Sequence, residues 1–139
     1  MLDKEVVLNR FNKMCKNTLM ETLNIKYVDI GDDFLVATMP VNSSVHQPYG
    51  LLHGGATAAL AESVGSAASS YFVDHTKFLV KGIALSANHL KSVKKGTVTA
   101  IAKIIHKGRT THLWEIRVVD EKNELVSLCK LTNIILEKS

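Results

Sequence analysis

The sequence predicts an α+β domain in which an antiparallel sheet wraps around one long central helix. The chain has 139 residues, 46% hydrophobic and 22% charged, which is the length and composition of one ordinary globular domain spanning residues 1–139. Residues 54–71 are rich in alanine, serine and glycine and have the character of a buried helix. Strand-like segments precede and follow that helix, and this order places the helix on one face of an antiparallel sheet.

Two short helices are expected at the start of the chain. Residues 3–15 carry apolar side chains at helical spacing, and these are Val7, Phe11, Met14 and Cys15. A second helix is expected to begin near Thr18, because Thr18 and Glu21 have the spacing of a capping box.

Strand-like segments lie on both sides of the central helix. Two short ones, residues 24–31 and 34–40, precede it and are separated by a turn-like Gly-Asp-Asp sequence. Four more follow it, at residues 79–93, 96–107, 110–120 and 124–136. Because the dividers between these four are short and turn-like, we expect sequence neighbours to pair as antiparallel hairpins.

Glu62 is the single charged residue of the central helix. A carboxylate in the middle of a buried helix is costly unless it is paired, protonated or used in chemistry. The residues one turn away are small or polar and offer no basic partner: Ala58, Ala59, Gly65 and Ser66. Both a structural role and a catalytic role are open at this point, and Ser66 is placed to hydrogen-bond Glu62 or a water beside it.

The start of the central helix, at His53-Gly54-Gly55, has features of an oxyanion site. The first amides of a helix lack internal partners and carry the positive end of the dipole, so they can stabilise a developing negative oxygen. Gly55 and Glu62 are seven residues apart, which corresponds to about 10.5 Å along a helix. One carbonyl group cannot easily reach both in one chain, so we predict a dimer whose two active sites each use both chains.

The run from Gln47 to Ser66, QPYGLLHGGATAALAESVGS, closely resembles hotdog-fold thioesterases. The similar branch includes 4-hydroxybenzoyl-CoA thioesterases, the enterobactin proofreading thioesterase and 1,4-dihydroxy-2-naphthoyl-CoA hydrolases. The resemblance implies a hotdog fold and an acyl-CoA substrate with an aromatic or medium-chain acyl group. It also implies that Glu62 is the nucleophile or general base, that Gln47, His53 and the Gly55 amide bind the carbonyl, and that Ser66 supports attack.

The same resemblance indicates residues for coenzyme A. Asn88 and His89 match the strand that lines the CoA tunnel, and Lys91 occupies a place where relatives often have arginine. The hairpin sequence containing Gly108, Arg109 and Thr110 offers amides, a guanidinium and hydroxyls that suit a phosphate. Tetramers built as dimers of dimers are common among such proteins, and menaquinone biosynthesis is one pathway that the resemblance implies.

Several other function classes are disfavoured by composition and motifs. The net charge of +4 is too mild to indicate nucleic-acid binding, and no apolar run has membrane-spanning length. The first five residues carry mixed charge and lack the pattern of a signal peptide. The widely spaced Cys15 and Cys129 favour free thiols in a reducing compartment, so we predict a cytoplasmic protein. The six histidines lack metal-ligand spacing, so neither a metal nor a cofactor is predicted.

Two alternative functions remain open from the sequence. A hotdog dehydratase or hydratase acting on acyl thioesters relies on a histidine-centred site, and His53 is consistent with one. A non-catalytic acyl-CoA binding module is the other alternative. The combination of Gln47, His53, Glu62 and Ser66 favours hydrolysis over both.

Overall fold

The computed structural model describes residues 3–139, and every predicted helix and strand is present within a few residues of its expected bounds. The helices are α1 (Lys4–Met14), α2 (Leu19–Thr22) and α3 (Gly54–Phe72), with a short 3₁₀ helix at Ser43–Val45. The strands are β1 (Lys26–Ile30), β2 (Phe34–Val41), β3 (Phe78–His89), β4 (Gly96–Lys107), β5 (Thr111–Val119) and β6 (Leu125–Glu137).

The apolar stripe of α1 packs against the rest of the molecule through three of its four predicted positions. Val7, Phe11 and Cys15 are buried, and Phe11 meets the Tyr27 ring edge-on at 5.5 Å between centroids. Met14 is the exception, because it remains 69% exposed at the end of the helix.

The predicted capping box at the start of α2 does not form. Thr18 is the residue that caps α2, but its hydroxyl donates to the carbonyl oxygen of Cys15 at 2.5 Å. The Glu21 carboxylate accepts the N–H of Asn17, one residue before the position that a capping box uses. Both side chains therefore stabilise the α1–α2 turn instead.

The six strands form one antiparallel sheet in the order β1-β2-β4-β5-β6-β3. The predicted hairpin between β3 and β4 is therefore wrong, since β3 pairs with β6 and β4 pairs with β2. Residues 90–95 cross the end of the sheet and are held there by hydrogen bonds to Val126 and Leu52. Six extended residues reach about 20 Å, and three strand spacings are about 14 Å, so a short connection suffices for the crossing.

One face of α3 packs on the sheet. Strands β2 and β5 alternate between buried and less buried residues, as strands with one core face do. The helix contributes a stripe of seven buried residues: Thr57, Leu60, Ala61, Val64, Gly65, Ala68 and Ser69. The expectation that α3 is buried all round is thus wrong for the single chain, in which the other positions of the helix are half-buried or, at Gly55 and Glu62, exposed.

Both cysteines, Cys15 and Cys129, are free and buried, as predicted. None of the helices formed by residues 3–139 combines the length and the apolar character that crossing a membrane requires.

Candidate active site

Glu62 lies in the middle of α3, outside the stripe of buried residues. Its side chain is exposed rather than buried, because the α3 stripe facing the sheet does not include it. The carboxylate lines a cavity of about 620 Å³, and Ser66 lines the same cavity one turn further along the helix. None of the ion pairs formed within residues 3–139 involves Glu62.

Gly82 on β3 is a residue of this site that sequence reasoning missed. A Cβ atom at Gly82 would lie 3.1 Å from Oε2 of Glu62, so the carboxylate rests directly against the β3 backbone. The pairing of β3 with β6 shifts register between Gly82 and Ala84, which marks a bulge at this point. A glycine inside a strand pattern is itself a signal for such a close approach.

His53 caps the start of α3 and engages the expected oxyanion donor. Its Nδ1 accepts the N–H of Gly55 at 2.7 Å. An accepting Nδ1 places the proton of the neutral ring on Nε2. The Gly55 amide therefore has a partner in the single chain, and it becomes available to a substrate oxygen only when the His53 ring turns away.

Gln47 lies in the loop before α3 and lines a second cavity, of about 260 Å³, together with Gly54, His89 and Lys91. Its backbone N–H donates to the Leu51 carbonyl oxygen at 2.8 Å. Its side-chain Oε1 accepts the N–H of Tyr49 at 2.5 Å. That bond orients the amide group and leaves the two N–H groups of Nε2 as the donors that this side chain can offer.

His89 sits over the start of α3 and is held by Ser127. A Cβ atom at Gly54 would lie 2.8 Å from the His89 Nε2, so the glycine allows the ring to approach the helix. The Ser127 hydroxyl donates to the Asn88 carbonyl oxygen at 3.1 Å and accepts from Nδ1 of His89 at 3.0 Å. Asn88 thus contributes its backbone carbonyl group to this arrangement. The buried Ser127 holds the His89 ring, and no motif in the sequence indicates that role.

Lys91 is already paired with carboxylates. Its ammonium group donates to Asp120 at 2.6 Å and to Glu124. The hydrogen bonds that the ammonium donates to Asp120, which has the larger effect, and to Glu124 raise the pKa of Lys91 above its usual value. Because these two negative charges already compensate the ammonium, the expected role of Lys91 as a free phosphate ligand is not supported by its surroundings.

The Gly108-Arg109-Thr110 hairpin lies at the other end of α3. The Gly108 N–H donates to the Thr111 carbonyl oxygen at 2.8 Å, so that amide closes the hairpin rather than facing outward. The exposed Arg109 and Thr110 follow Lys107, whose ammonium lies 4.2 Å from the centre of the Phe72 ring at the C-terminal end of α3. In one chain the hairpin and His53 therefore lie at opposite ends of α3, whose 19 residues span about 28.5 Å.

The predicted site residues thus fall into three groups within one chain. Glu62 and Ser66 line the larger cavity, whereas Gln47, His89 and Lys91 line the smaller one near His53 and Gly55. The hairpin residues form the third group. Within residues 3–139, no three His, Cys, Asp or Glu side chains gather into a cluster that could hold a metal ion.

Comparisons with known proteins agree with this architecture. Residues 49–127 match the family model described as the thioesterase superfamily. A 1,4-dihydroxy-2-naphthoyl-CoA hydrolase of Escherichia coli is 41% identical over 133 residues, which cover 96% of this chain and 97% of the relative.

Solved structures give the same result. A mutant thioesterase of Pseudomonas aeruginosa superposes with a TM-score of 0.93 at 41% identity, over 94% of each chain. A thioesterase of Haemophilus influenzae superposes with a TM-score of 0.90 at 38% identity, over 94% of this chain and 90% of the other. The predicted hotdog fold is confirmed, and the chain belongs to the thioesterase superfamily of thioester hydrolases.

Proposed function

We propose that this thioesterase hydrolyses acyl-CoA and uses Glu62 as its catalytic carboxylate. The observation that carries the proposal is the position of Glu62, a carboxylate that lines the larger cavity in the middle of α3 and forms no ion pair with the residues from 3 to 139. Its location against the Gly82 backbone leaves it facing an otherwise largely apolar space. A ligand that fills this space would exclude water from the carboxylate and strengthen its interaction with a reacting carbonyl group.

The reaction requires attack on the thioester carbonyl carbon and loss of the thiolate. Glu62 either attacks the carbon itself or removes a proton from a water whose oxygen attacks it. Donors from Gln47 Nε2 and from the Gly55 amide stabilise the negative charge on the carbonyl oxygen. The carbon–sulfur bond then breaks, and the CoA thiolate leaves with the electron pair and takes up a proton. When Glu62 is the nucleophile, water hydrolyses the resulting anhydride and restores the carboxylate.

A second copy of the chain completes the site. β3 is a 12-residue edge strand with mostly exposed residues and a single lysine, Lys81, which makes it a template for pairing with another strand. Antiparallel pairing of two β3 edges would set two α3 helices side by side with opposite directions. The Gly55 of one chain would then face the Glu62 of its partner, which removes the separation of about 10.5 Å.

The same arrangement brings the three groups of site residues together. Where two helices run antiparallel, the C-terminal end of one lies beside the N-terminal end of the other. Arg109 and Thr110 of the chain that supplies Glu62 would therefore approach the Gln47 and His89 of the partner. We assign the CoA phosphates to Arg109, with Lys91 kept in its ion pairs, and we place the enzyme in the cytoplasm as a dimer or a dimer of dimers.

Replacement of Glu62 tests the proposal. We expect Glu62→Gln to lower the rate of thiol release from aromatic and straight-chain acyl-CoAs by about 100-fold or more, because the variant cannot accept a proton or attack carbon. Glu115→Gln is the matched control, since Glu115 lies on β5 between the core-facing Trp114 and Ile116, on the sheet face away from α3. Near-normal turnover by Glu62→Gln would show that this carboxylate is not catalytic.

The same assay separates the alternative functions. Hydrolysis releases a free thiol from acyl-CoA, whereas dehydration or hydration of the acyl group leaves the thioester intact. Binding of acyl-CoA without thiol release in the wild type would favour a dehydratase or a binding module. The engagement of His53 as the cap of α3 does not favour a histidine-centred dehydratase site.

A further inference from the structure

The cavity beside Glu62 is an elongated groove along α3. Its floor runs from Ala59 to Val73, and fourteen residues correspond to about 21 Å at the rise of an α-helix. About 16 Å of this length lies beyond Glu62, towards the C-terminal end of α3. A two-carbon or four-carbon acyl group attached at Glu62 would leave most of the groove empty.

The wall opposite α3 comes from the N-terminal helices, outside residues 49–127 that match the family model. We define this N-terminal wall as five apolar side chains: Phe11, Met14, Cys15, Leu19 and Met20. Met14 and Leu19 are 69% and 57% exposed, so they form an apolar lip that a bound chain would cover. Methionine side chains are flexible and polarisable, and they adapt to apolar ligands of varied shape.

Three of the four hydroxyl groups in the groove have partners within the protein, and the fourth is that of Ser66, one turn from Glu62. Ser63 Oγ donates to the Ala59 carbonyl oxygen at 2.6 Å, and Ser70 Oγ donates to the Ala67 carbonyl oxygen at 2.7 Å. The Tyr27 hydroxyl donates to the Ser63 carbonyl oxygen at 3.2 Å. These donors do not require a polar ligand, so the groove beyond Glu62 presents a mainly apolar surface.

A lysine and a histidine occur at the far end of the groove. His75 and Lys138 line the cavity there, and the Lys138 ammonium donates to the His75 carbonyl oxygen. A ligand that starts at Glu62 meets these groups only after it has passed the apolar wall.

We propose that the groove binds extended apolar acyl chains and that the N-terminal wall sets the chain length that the enzyme accepts. The inference rests on the proposed acyl-CoA thioesterase function and names the substrate class of that site. A long chain replaces water along the apolar wall and gains free energy for every methylene that it buries. Shorter acyl groups gain less, so selectivity arises far from the reacting carbon.

Bulky substitutions in the wall test the inference. The measurement is the ratio of kcat/KM for dodecanoyl-CoA to that for butyryl-CoA. We expect a wild-type ratio above one, and a fall of about tenfold or more in Met14→Trp and in Met20→Trp, because an indole occupies space that the longer chain needs. Val6→Trp is the matched control, since Val6 is 49% exposed on the same helix but does not line the groove. It should keep the wild-type ratio.

An unchanged ratio in both wall variants would overturn the inference, as would a wild type that prefers butyryl-CoA or accepts only aromatic acyl groups. Met14 is exposed, so Met14→Trp remains informative if the more buried Met20→Trp does not fold.

Binding of non-hydrolysable thioethers separates this inference from the proposed function. S-dodecyl-CoA should bind the wild type at least tenfold more tightly than S-butyl-CoA, and Met14→Trp should reduce that preference. If the wild type hydrolyses nothing but shows this preference, the proposed function fails and the groove assignment stands. Equal binding of the two thioethers would overturn the groove assignment whatever the turnover.

Discussion

Ser69 is the centre of a buried hydrogen-bond network between α3 and the sheet. Its hydroxyl oxygen lies 2.7 Å from Trp114 Nε1, 2.7 Å from Asn133 Nδ2 and 2.9 Å from His112 Nδ1. The tryptophan and asparagine nitrogens can only donate, so they occupy both lone pairs of the hydroxyl. The hydroxyl proton must therefore go to His112 Nδ1, which makes His112 a neutral ring with its proton on Nε2.

Protonation of His112 would disrupt this arrangement. A protonated Nδ1 would point a donor at a hydroxyl whose acceptor sites are already used. Burial is the main cause that lowers the pKa of His112 below its usual value, and the positive charges of Lys107 and His106 lower the pKa further. The folded protein thus binds this proton less readily than the unfolded chain does.

The stability of the protein should depend on pH through His112. The unfolded histidine titrates near pH 6.5 and the folded one at lower pH, so the free energy of unfolding should fall as pH decreases from about 6.5 towards the folded pKa. The slope from one proton is at most about 1.4 kcal/mol per pH unit. Urea unfolding at several pH values, followed by Trp114 fluorescence, measures the slope of the free energy of unfolding against pH. His112→Gln should remove the part of this slope that His112 contributes. Equal slopes in both proteins would show that His112 does not titrate in this range.

At the scale of elements, α1 is attached to β1 by a pair of hydrogen bonds from one side chain. Asn12 Nδ2 donates to the Tyr27 carbonyl oxygen at 3.0 Å, and Asn12 Oδ1 accepts the Tyr27 N–H at 2.8 Å. An exposed ion pair of Lys4 with Asp29 at 2.8 Å joins the other end of α1 to the same strand. Because Tyr27 also bonds to α3, Asn12 sets the position of the N-terminal wall relative to Glu62.

Loss of the Asn12 side chain should loosen this wall. We expect Asn12→Ala to lower the free energy of unfolding by about 1–2 kcal/mol, since each of the two hydrogen bonds contributes about 0.5–1.5 kcal/mol. The preference for longer acyl chains should weaken in the same variant. Asn9→Ala is the control, because Asn9 is exposed on α1, and its stability should change by less than about 0.5 kcal/mol. If Asn12→Ala and Asn9→Ala change the urea midpoint equally, the Asn12 side chain does not hold α1 on β1.

The residues of β3 predict that it is a strand, but they do not predict which strand it pairs with. Its strand character follows from its own residues, and its bounds agree with the expectation within a few residues. Its partner does not follow from the connection to β4, because a six-residue link can cross three strand spacings as easily as it can turn back. The register with β6 is decided by contacts between residues far apart in the chain.

At the scale of the whole molecule, the exposed position of Glu62 on α3 lies beside β3, which is an edge strand of the sheet within residues 3–139. Ile83 on β3 is 58% exposed and Leu79 is 43% exposed, beside the groove that contains Glu62. A second copy of the chain would cover both features and would bring Gln47, His53 and Gly55 to a carboxylate that they cannot reach within one chain.

Mixing of two inactive variants tests whether the sites are shared. Glu62→Gln and Gln47→Ala are unfolded together and refolded, so that mixed dimers form. In a shared-site dimer, each mixed dimer has one site free of both substitutions, and random pairing should restore about one quarter of wild-type activity. Refolding Glu62→Gln with Glu62→Ala is the control and should restore none. Mixed dimers without activity would show that each chain contains a complete site.

The sequence alone determined the element types, the family and the candidate carboxylate. Alternating apolar residues specify strands, and the small residues of 54–71 specify a tightly packed helix, because both patterns depend on near neighbours in the chain. The run from Gln47 to Ser66 led to the thioesterase superfamily, which the comparisons confirmed. The catalytic roles of Glu62, Gln47, His53, Gly55 and Ser66 remain predictions.

Only the tertiary structure decided which residues lie beside that carboxylate. It placed Glu62 at an exposed position of α3, Gly82 against its carboxylate and the N-terminal wall on the same cavity. It also paired Lys91 with Asp120 and Glu124, which a family pattern does not predict. The physical reason is that these contacts join residues 20 to 51 positions apart, whose proximity depends on how all the elements pack and not on any local pattern.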